Sequence, residues 1–329
     1  MKTIGLEEHF VTADVIRAWN ALDPRLQDLA IVPSTRGEPA LRLAELGETR
    51  FTAMDDTGLD VQVLSLSTPG VQHLGRGDAV ALQTATNDLI AGTVRAHPGR
   101  LGGFATLATP DPAAAAGELE RAVTKLGLDG AMVFGRTRER SLDHVDFWPI
   151  FEAAEALRAP LYLHPLSPPP EVRAAYYSGL GGMTDMSLAT FGLGWHYDTG
   201  VLVLRLILGG VFDRYPGLQL IVGHWGEAVL FYLERIQKVA DIAKLQRPLA
   251  DYFRENIYLT PSGMFSLRYL RWATEIVGVD RIMMATDYPF ENSPQGRTRR
   301  FLEEADLSDQ DRQKIASGNW DQLRAGIRR

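Results

Sequence analysis

The sequence predicts a single (β/α)8 barrel, and three observations predict it. Short runs rich in branched apolar residues recur along the 329 residues, apolar on both faces and bounded by Gly, Pro or Asp, as buried parallel strands are. Stretches of helical periodicity separate these runs. Several runs end in a carboxylate or an imidazole, which a parallel barrel gathers at one mouth.

Taken in order, the expected strands are residues 3–6, 61–66, 104–107, 131–133, 161–163, 220–222, 257–259 and 282–285. Helices are expected over 78–95, 112–126, 147–157, 198–212, 226–240 and 266–276. Asp111 followed by Pro112 reads as an N-cap with proline in the first turn. Leu126-Gly127 reads as a helix end, and Ser308 as the cap of a last helix reaching about Ile327. The other arrangement of alternating strands and helices is an open doubly wound sheet. No Gly-x-Gly-x-x-Gly follows the first strand, so a dinucleotide-binding version of it has no support. Two segments interrupt the rhythm: 23–50 after strand one, and 167–197 after strand five. In a barrel, long loops at these places lie on the catalytic face and shape the pocket. With no internal repeat and no linker, residues 1–329 are expected to form one domain.

Composition narrows the function. The chain has no cysteine, which excludes disulfides and thiolate metal sites. Its 45% hydrophobic and 23% charged residues are ordinary globular usage. The net charge is −7 and no basic stripe occurs, so neither nucleic acid nor an anionic membrane is an expected partner. The apolar runs are far shorter than a membrane span, and Met1–His9 lacks the apolar core of a signal peptide, so a cytoplasmic location is expected.

The polar residues fall where chemistry would. Glu7 and His9 close strand one, His164 closes strand five, His224 follows strand six and Asp287 follows strand eight. Glu7 and His9 are two apart, a spacing that puts both on one face of a strand. Each residue alone is more often a satisfied structural histidine or a helix cap. Together, a carboxylate, two imidazoles and an aspartate from separate strands make a nitrogen and oxygen donor set suited to one divalent ion, Zn(II), Mn(II) or Fe(II), with room left for substrate. His224 and Glu227 are three apart at the start of the sixth helix, close enough to pair, and a carboxylate there would fix the imidazole's tautomer. The plain alternative is that Glu227 favours the helix N-terminus.

Leu6-Glu7-Glu8-His9-Phe10, Tyr162-Leu163-His164-Pro165, Gly223-His224-Trp225-Gly226-Glu227 and Thr286-Asp287-Tyr288-Pro289-Phe290-Glu291 resemble the amidohydrolase-2 group of the amidohydrolase superfamily. Within it, the chain is similar to the metal-dependent hydroxybenzoate decarboxylases of the γ-resorcylate and 2,3-dihydroxybenzoate type. Met54-Asp55-Asp56-Thr57-Gly58 and Ser317-Gly318-Asn319-Trp320 extend the resemblance over nearly the whole chain. The resemblance implies that Glu7, His9, His164 and Asp287 bind the metal and that His224 and Glu227 form a catalytic pair with Asp287. It implies that Phe290 lies beside the substrate ring and Arg235 near the pocket. The Glu-x-His form of the first motif, in place of His-x-His, points to the decarboxylase branch.

Departures from that pattern cluster around the pocket. Phe134, in Met132-Val133-Phe134-Gly135, stands where such relatives often carry asparagine, so it becomes an apolar candidate for substrate contact. Met264 lies in Pro261-Ser262-Gly263-Met264-Phe265, Leu202 replaces a helical histidine, and His196 is an additional imidazole. The expected function is non-oxidative decarboxylation of a hydroxylated aromatic carboxylic acid, using one divalent ion, zinc or manganese, and no organic cofactor. Asp287 would protonate the ring carbon before CO2 leaves. The other reading is a metal-dependent hydrolase of a lactone or amide on the same site. A small aromatic acid is the expected partner, and the resemblance implies a homodimer or homotetramer.

Overall fold

The computed structural model describes residues 1–291 and 296–329 and is mixed α/β with parallel sheets. The strands are β1 Ile4–Phe10, β2 Val61–Leu66, β3 Leu101–Gly103, β4 Ala105–Thr106, β5 Ala131–Phe134, β6 Arg136–Thr137, β7 Arg140–Ser141, β8 Leu161–His164, β9 Leu220–Val222 and β10 Ile257–Leu259. One sheet has the order β1-β2-β3, a second β10-β9-β8-β5-β4, all pairs parallel. β6 and β7 form a small antiparallel hairpin. The expected third strand is split: Phe104 N donates to Leu64 O, while Ala105 N donates to Gly130 O, so the chain passes from one sheet to the other.

The expected eighth strand, 282–285, is not a continuous ladder. Single parallel bridges join Ile282 to Leu259, Met284 to Gly5 and Tyr288 to Glu8. The ladder stops because Thr286 N turns to the Glu8 side chain (2.9 Å) and Asp287 takes a positive φ of 60°.

Apolar residues separate by face. Val63, Phe104, Met132, Tyr162, Ile221 and Met283 form an inner cluster with Ile4 and Leu6. Leu64, Val133, Leu161, Leu163, Leu220 and Val222, alternating with them, join the larger core beneath the helices. This is the period-two pattern of strands buried on both faces.

The helices follow the expected positions within a few residues: Arg76–Ala96, Pro112–Thr124, Trp148–Leu157 and Leu267–Val277. Asp111 caps its helix by accepting from Ala114 N, and Ser266 and Ser308 cap theirs in the same way. Two expectations need correction. The helix expected over 198–212 begins four residues earlier, as Gly194–Leu208, and breaks at Gly209-Gly210, where Gly210 has a φ of 77°. The helix expected from 226 starts at Leu233, because the preceding residues form a turn of the opposite hand. The long segments 23–50 and 167–197 fold into short helices, among them Ile31–Thr35, Gly37–Leu43, Pro170–Tyr176 and Gly182–Ser187. No helix among the described residues is long and apolar enough to cross a membrane.

Candidate metal and catalytic site

β1 delivers Glu7 and His9 through an irregularity in its pairing. Gly5 pairs with Gln62, but Glu8 pairs with Leu64, so β1 holds one extra residue opposite Val63. Without it, the alternation that puts Ile4 and Leu6 in the inner cluster would turn Glu7 and His9 away. A bulge of this kind resets the facing. Leu6 fills the interior, Glu7 and His9 reach the site, and Glu8 faces outward to Gln62 and Thr286.

Donor atoms of Glu7, His9, His164 and Asp287 lie within 4.8 Å of one another. Tyr162 donates to Glu7 Oε2 over 2.6 Å, and Ser262 donates to the same oxygen. Glu7 Oε1 is buried and has no hydrogen-bond partner among the described residues. His164 Nε2 stands 3.2 Å from it but out of hydrogen-bonding geometry. His164 Nδ1 donates to Pro165 O at 2.9 Å, so in the neutral ring the Nε2 lone pair is aimed at a carboxylate oxygen. His9 Nε2 is likewise buried without a hydrogen bond among the described residues, 3.4 Å from Asp287 Oδ1, while its Nδ1 meets Ser65 Oγ. Lone pairs facing lone pairs in a buried pocket call for a cation between them, and the donor set fits a divalent ion.

The electrostatics agree. Burial pushes the His9 imidazole down to about 4, only partly opposed by Glu7, so it is a neutral donor at pH 7. Burial would raise Glu7, but the imidazoles of His224, His164 and His9 hold it well below the usual carboxylate range. Asp287 is pushed up to about 8 by burial and the Glu7 charge.

His224 and Glu227 meet as the spacing predicts, at 2.8 Å between Nδ1 and Oε1, yet on a different backbone. From His224 to Ala228, φ is positive at every residue (47°, 59°, 85°, 54° and 63°), a left-handed turn. Each non-glycine residue there costs roughly 1–2 kcal/mol. Trp225 secures the turn: its backbone N donates to Thr260 O, its indole donates to Met264 O, and its side chain is buried. Burial would lower His224, but the Glu227 and Glu7 carboxylates outweigh it and push the ring up to about 10.

Phe134 and Phe290 flank the donors, their rings 5.7 Å from His164 and 5.9 Å from His9. Arg235 is exposed on the helix Leu233–Ala243 and makes no part of the hydrogen bonding just described. Sequence reasoning passed over Tyr162, Thr260 and Ser262, which orient Glu7. Tyr162 was within reach of it, being two residues before His164 on one strand face.

A family profile described as Amidohydrolase matches residues 14–319. The chain belongs to the amidohydrolase family. Among curated relatives in that family is a γ-resorcylate decarboxylase from Polaromonas sp. strain JS666, 36% identical over 97% of each chain. Among solved structures, 5-carboxyvanillate decarboxylase LigW from Sphingomonas paucimobilis superposes with a TM-score of 0.89 at 32% identity, covering 98% of this chain and 99% of that one. A dihydroxybenzoic acid decarboxylase from Polaromonas sp. JS666, solved with manganese and the inhibitor 2-nitroresorcinol, gives a TM-score of 0.82 at 33% identity over 98% and 97%. This amidohydrolase therefore sits among carboxy-lyases that act on hydroxylated aromatic acids, and the hydrolase alternative is not favoured.

Proposed function

We propose that Glu7, His9, His164 and Asp287 hold one divalent ion, manganese rather than zinc, and that this site performs the enzyme's reaction, metal-dependent non-oxidative decarboxylation of a hydroxylated aromatic carboxylic acid. The observation that carries the assignment is the pair of buried, unpartnered atoms, Glu7 Oε1 and His9 Nε2, within a four-residue donor cluster beside two phenylalanine rings. Manganese in the related Polaromonas structure supports the choice of ion. The fold reading that goes with it is one closed (β/α)8 barrel over residues 1–329, its long loops 23–50 and 167–197 at the catalytic mouth. The bridges from Ile282 and Met284 to β10 and β1 support closure.

A divalent ion held by Glu7, His9, His164 and Asp287 would supply Lewis acidity to the substrate. Losing CO2 directly from an aromatic acid would leave an aryl carbanion; protonating the ring carbon first avoids it. Asp287, within reach of both the donor cluster and the substrate, carries that proton to the carbon bearing the carboxylate. The C–C bond then breaks, its electron pair restores the aromatic ring, and CO2 departs. His224, its Nδ1 engaged by Glu227 and its ring pushed up to about 10, is held as a cation that stabilises the phenolic oxygen as an oxyanion. Phe134 and Phe290 form an apolar wall that holds a planar ring and excludes water.

A second copy of the chain would cover the exposed apolar side chains of Phe191, Val201, Phe231 and Ile242, 56–80% accessible here, giving a homo-oligomer. The activity is tested by loading the protein with Mn(II) and screening hydroxylated aromatic acids for CO2 release. Turnover without CO2, with all carbons retained and water incorporated, would overturn the decarboxylase reading.

A further inference from the structure

Glu227 is held from both sides. His224 Nδ1 donates to Oε1 at 2.8 Å, and the His196 Nδ1 contacts Oε2 at 2.7 Å. The other His196 nitrogen, Nε2, donates to the Phe191 carbonyl at 3.0 Å. The two imidazole rings are 4.6 Å apart, with the fully buried carboxylate gripping both. Burial would raise Glu227, but His224 and His196 together lower it.

The approach of His196 is built into the backbone. It lies in the first turn of the helix Gly194–Leu208. Gly200, four residues on and so on the same helix face, packs against the turn that carries Glu227. A Cβ on Gly200 would stand 2.4 Å from the Glu227 carbonyl oxygen, so only glycine lets the helix come this near.

We propose that His196 is a positioning residue for the His224–Glu227 pair: it holds the second carboxylate oxygen, so that Glu227 stays aligned and the His224 ring is fixed by its Nδ1–H bond to Oε1. The physical reason is the cost of a buried oxygen left without a donor. Without His196, Oε2 has lost its only hydrogen bond among the described residues. The carboxyl then rotates or takes up a proton, and in either case His224 Nδ1 loses its acceptor and with it a fixed ring orientation. The kinetic arm of this inference rests on the decarboxylase reading; the spectroscopic arm does not.

The test uses the Mn-free protein for NMR and the Mn-loaded protein for kinetics. In histidine-labelled wild-type protein, the Nδ1 protons of His196 and His224 should both appear as strongly downfield resonances, and Glu227→Gln should remove both. His196→Ala should shift or broaden the His224 resonance, and His196→Asn, whose Nδ2 occupies nearly the place of Nδ1, should restore it. In turnover, His196→Ala should lower kcat about tenfold with KM and metal content near wild type, and Asn should recover most of the loss. A His224 resonance unmoved by His196→Ala, an effect on KM alone, or no recovery with Asn would overturn the proposal. If the wild-type enzyme releases no CO2 from any acid, the decarboxylase reading fails while the NMR comparison still decides the role of His196.

Discussion

Tyr162 donates its hydroxyl proton to Glu7 Oε2 over 2.6 Å, leaving Oε1 as the oxygen that faces His164. The two residues come from β8 and β1, so a cross-strand hydrogen bond decides which oxygen is offered to the ion. Tyr162→Phe keeps the ring and removes the donor. It should weaken Mn(II) binding by about tenfold or more, as loss of an orienting partner does. Titration of the apo-protein with Mn(II) checks this, and an unchanged affinity would mean that Ser262 alone orients the carboxylate.

His164→Ala removes a donor whose lone pair is aimed at the cluster, and the folded variant should lose its metal. Metal analysis after challenge with a chelator decides it. Wild-type stoichiometry would show that His164 is not a ligand.

His224→Ala should keep the metal and lose activity on the order of 10²-fold, because its ring is tied to Glu227 rather than to the donor cluster. Near-normal turnover would exclude an acid–base role, and loss of metal would move His224 among the ligands.

The site was more legible in the sequence than the backbone that carries it. The i, i+2 spacing of Glu7 and His9 correctly gave one face, but parity alone could not say which face. That depended on an extra residue opposite Val63, and a bulge leaves no mark in a run as uniformly buried as 4–10. The His224–Glu227 contact was likewise expected at helical spacing and occurs on a left-handed turn. Residues three apart meet on a turn of either hand, so the spacing was blind to handedness. The eighth strand failed for a tertiary reason: the Glu8 side chain competes for Thr286 N, a partner distant by nearly the whole chain. His196 was visible only as an additional imidazole, because its partner lies across a helix contact that depends on Gly200.

That contact predicts a stability effect. Gly200→Ala would drive a methyl group against the Glu227 carbonyl oxygen, 2.4 Å away before relaxation. Overpacking of this kind should cost about 1–3 kcal/mol, measured by denaturant unfolding. Activity should fall with it, since the helix that carries His196 must withdraw. An Ala variant with wild-type stability would mean that the helix shifts freely and that the close approach is not needed.

Asp287 tests the order of events in the reaction. Its carboxyl is pushed up by burial and by Glu7, and it borders His9 at 3.4 Å, at the edge of the donor cluster. If it delivers the proton before CO2 leaves, turnover in D2O should place deuterium on the carbon that bore the carboxylate. Asp287→Asn keeps nearly the same shape but replaces an acid with an amide, a far poorer proton donor. The variant should retain part of its metal through Glu7, His9 and His164 while deuterium transfer and CO2 release disappear together. A variant that binds metal and still decarboxylates at the wild-type rate would leave the reaction in place and remove Asp287 as its acid. Its proton would then have to come from His224, which lies on the Glu227 side of the pocket, and the double variant with His224→Ala would show it.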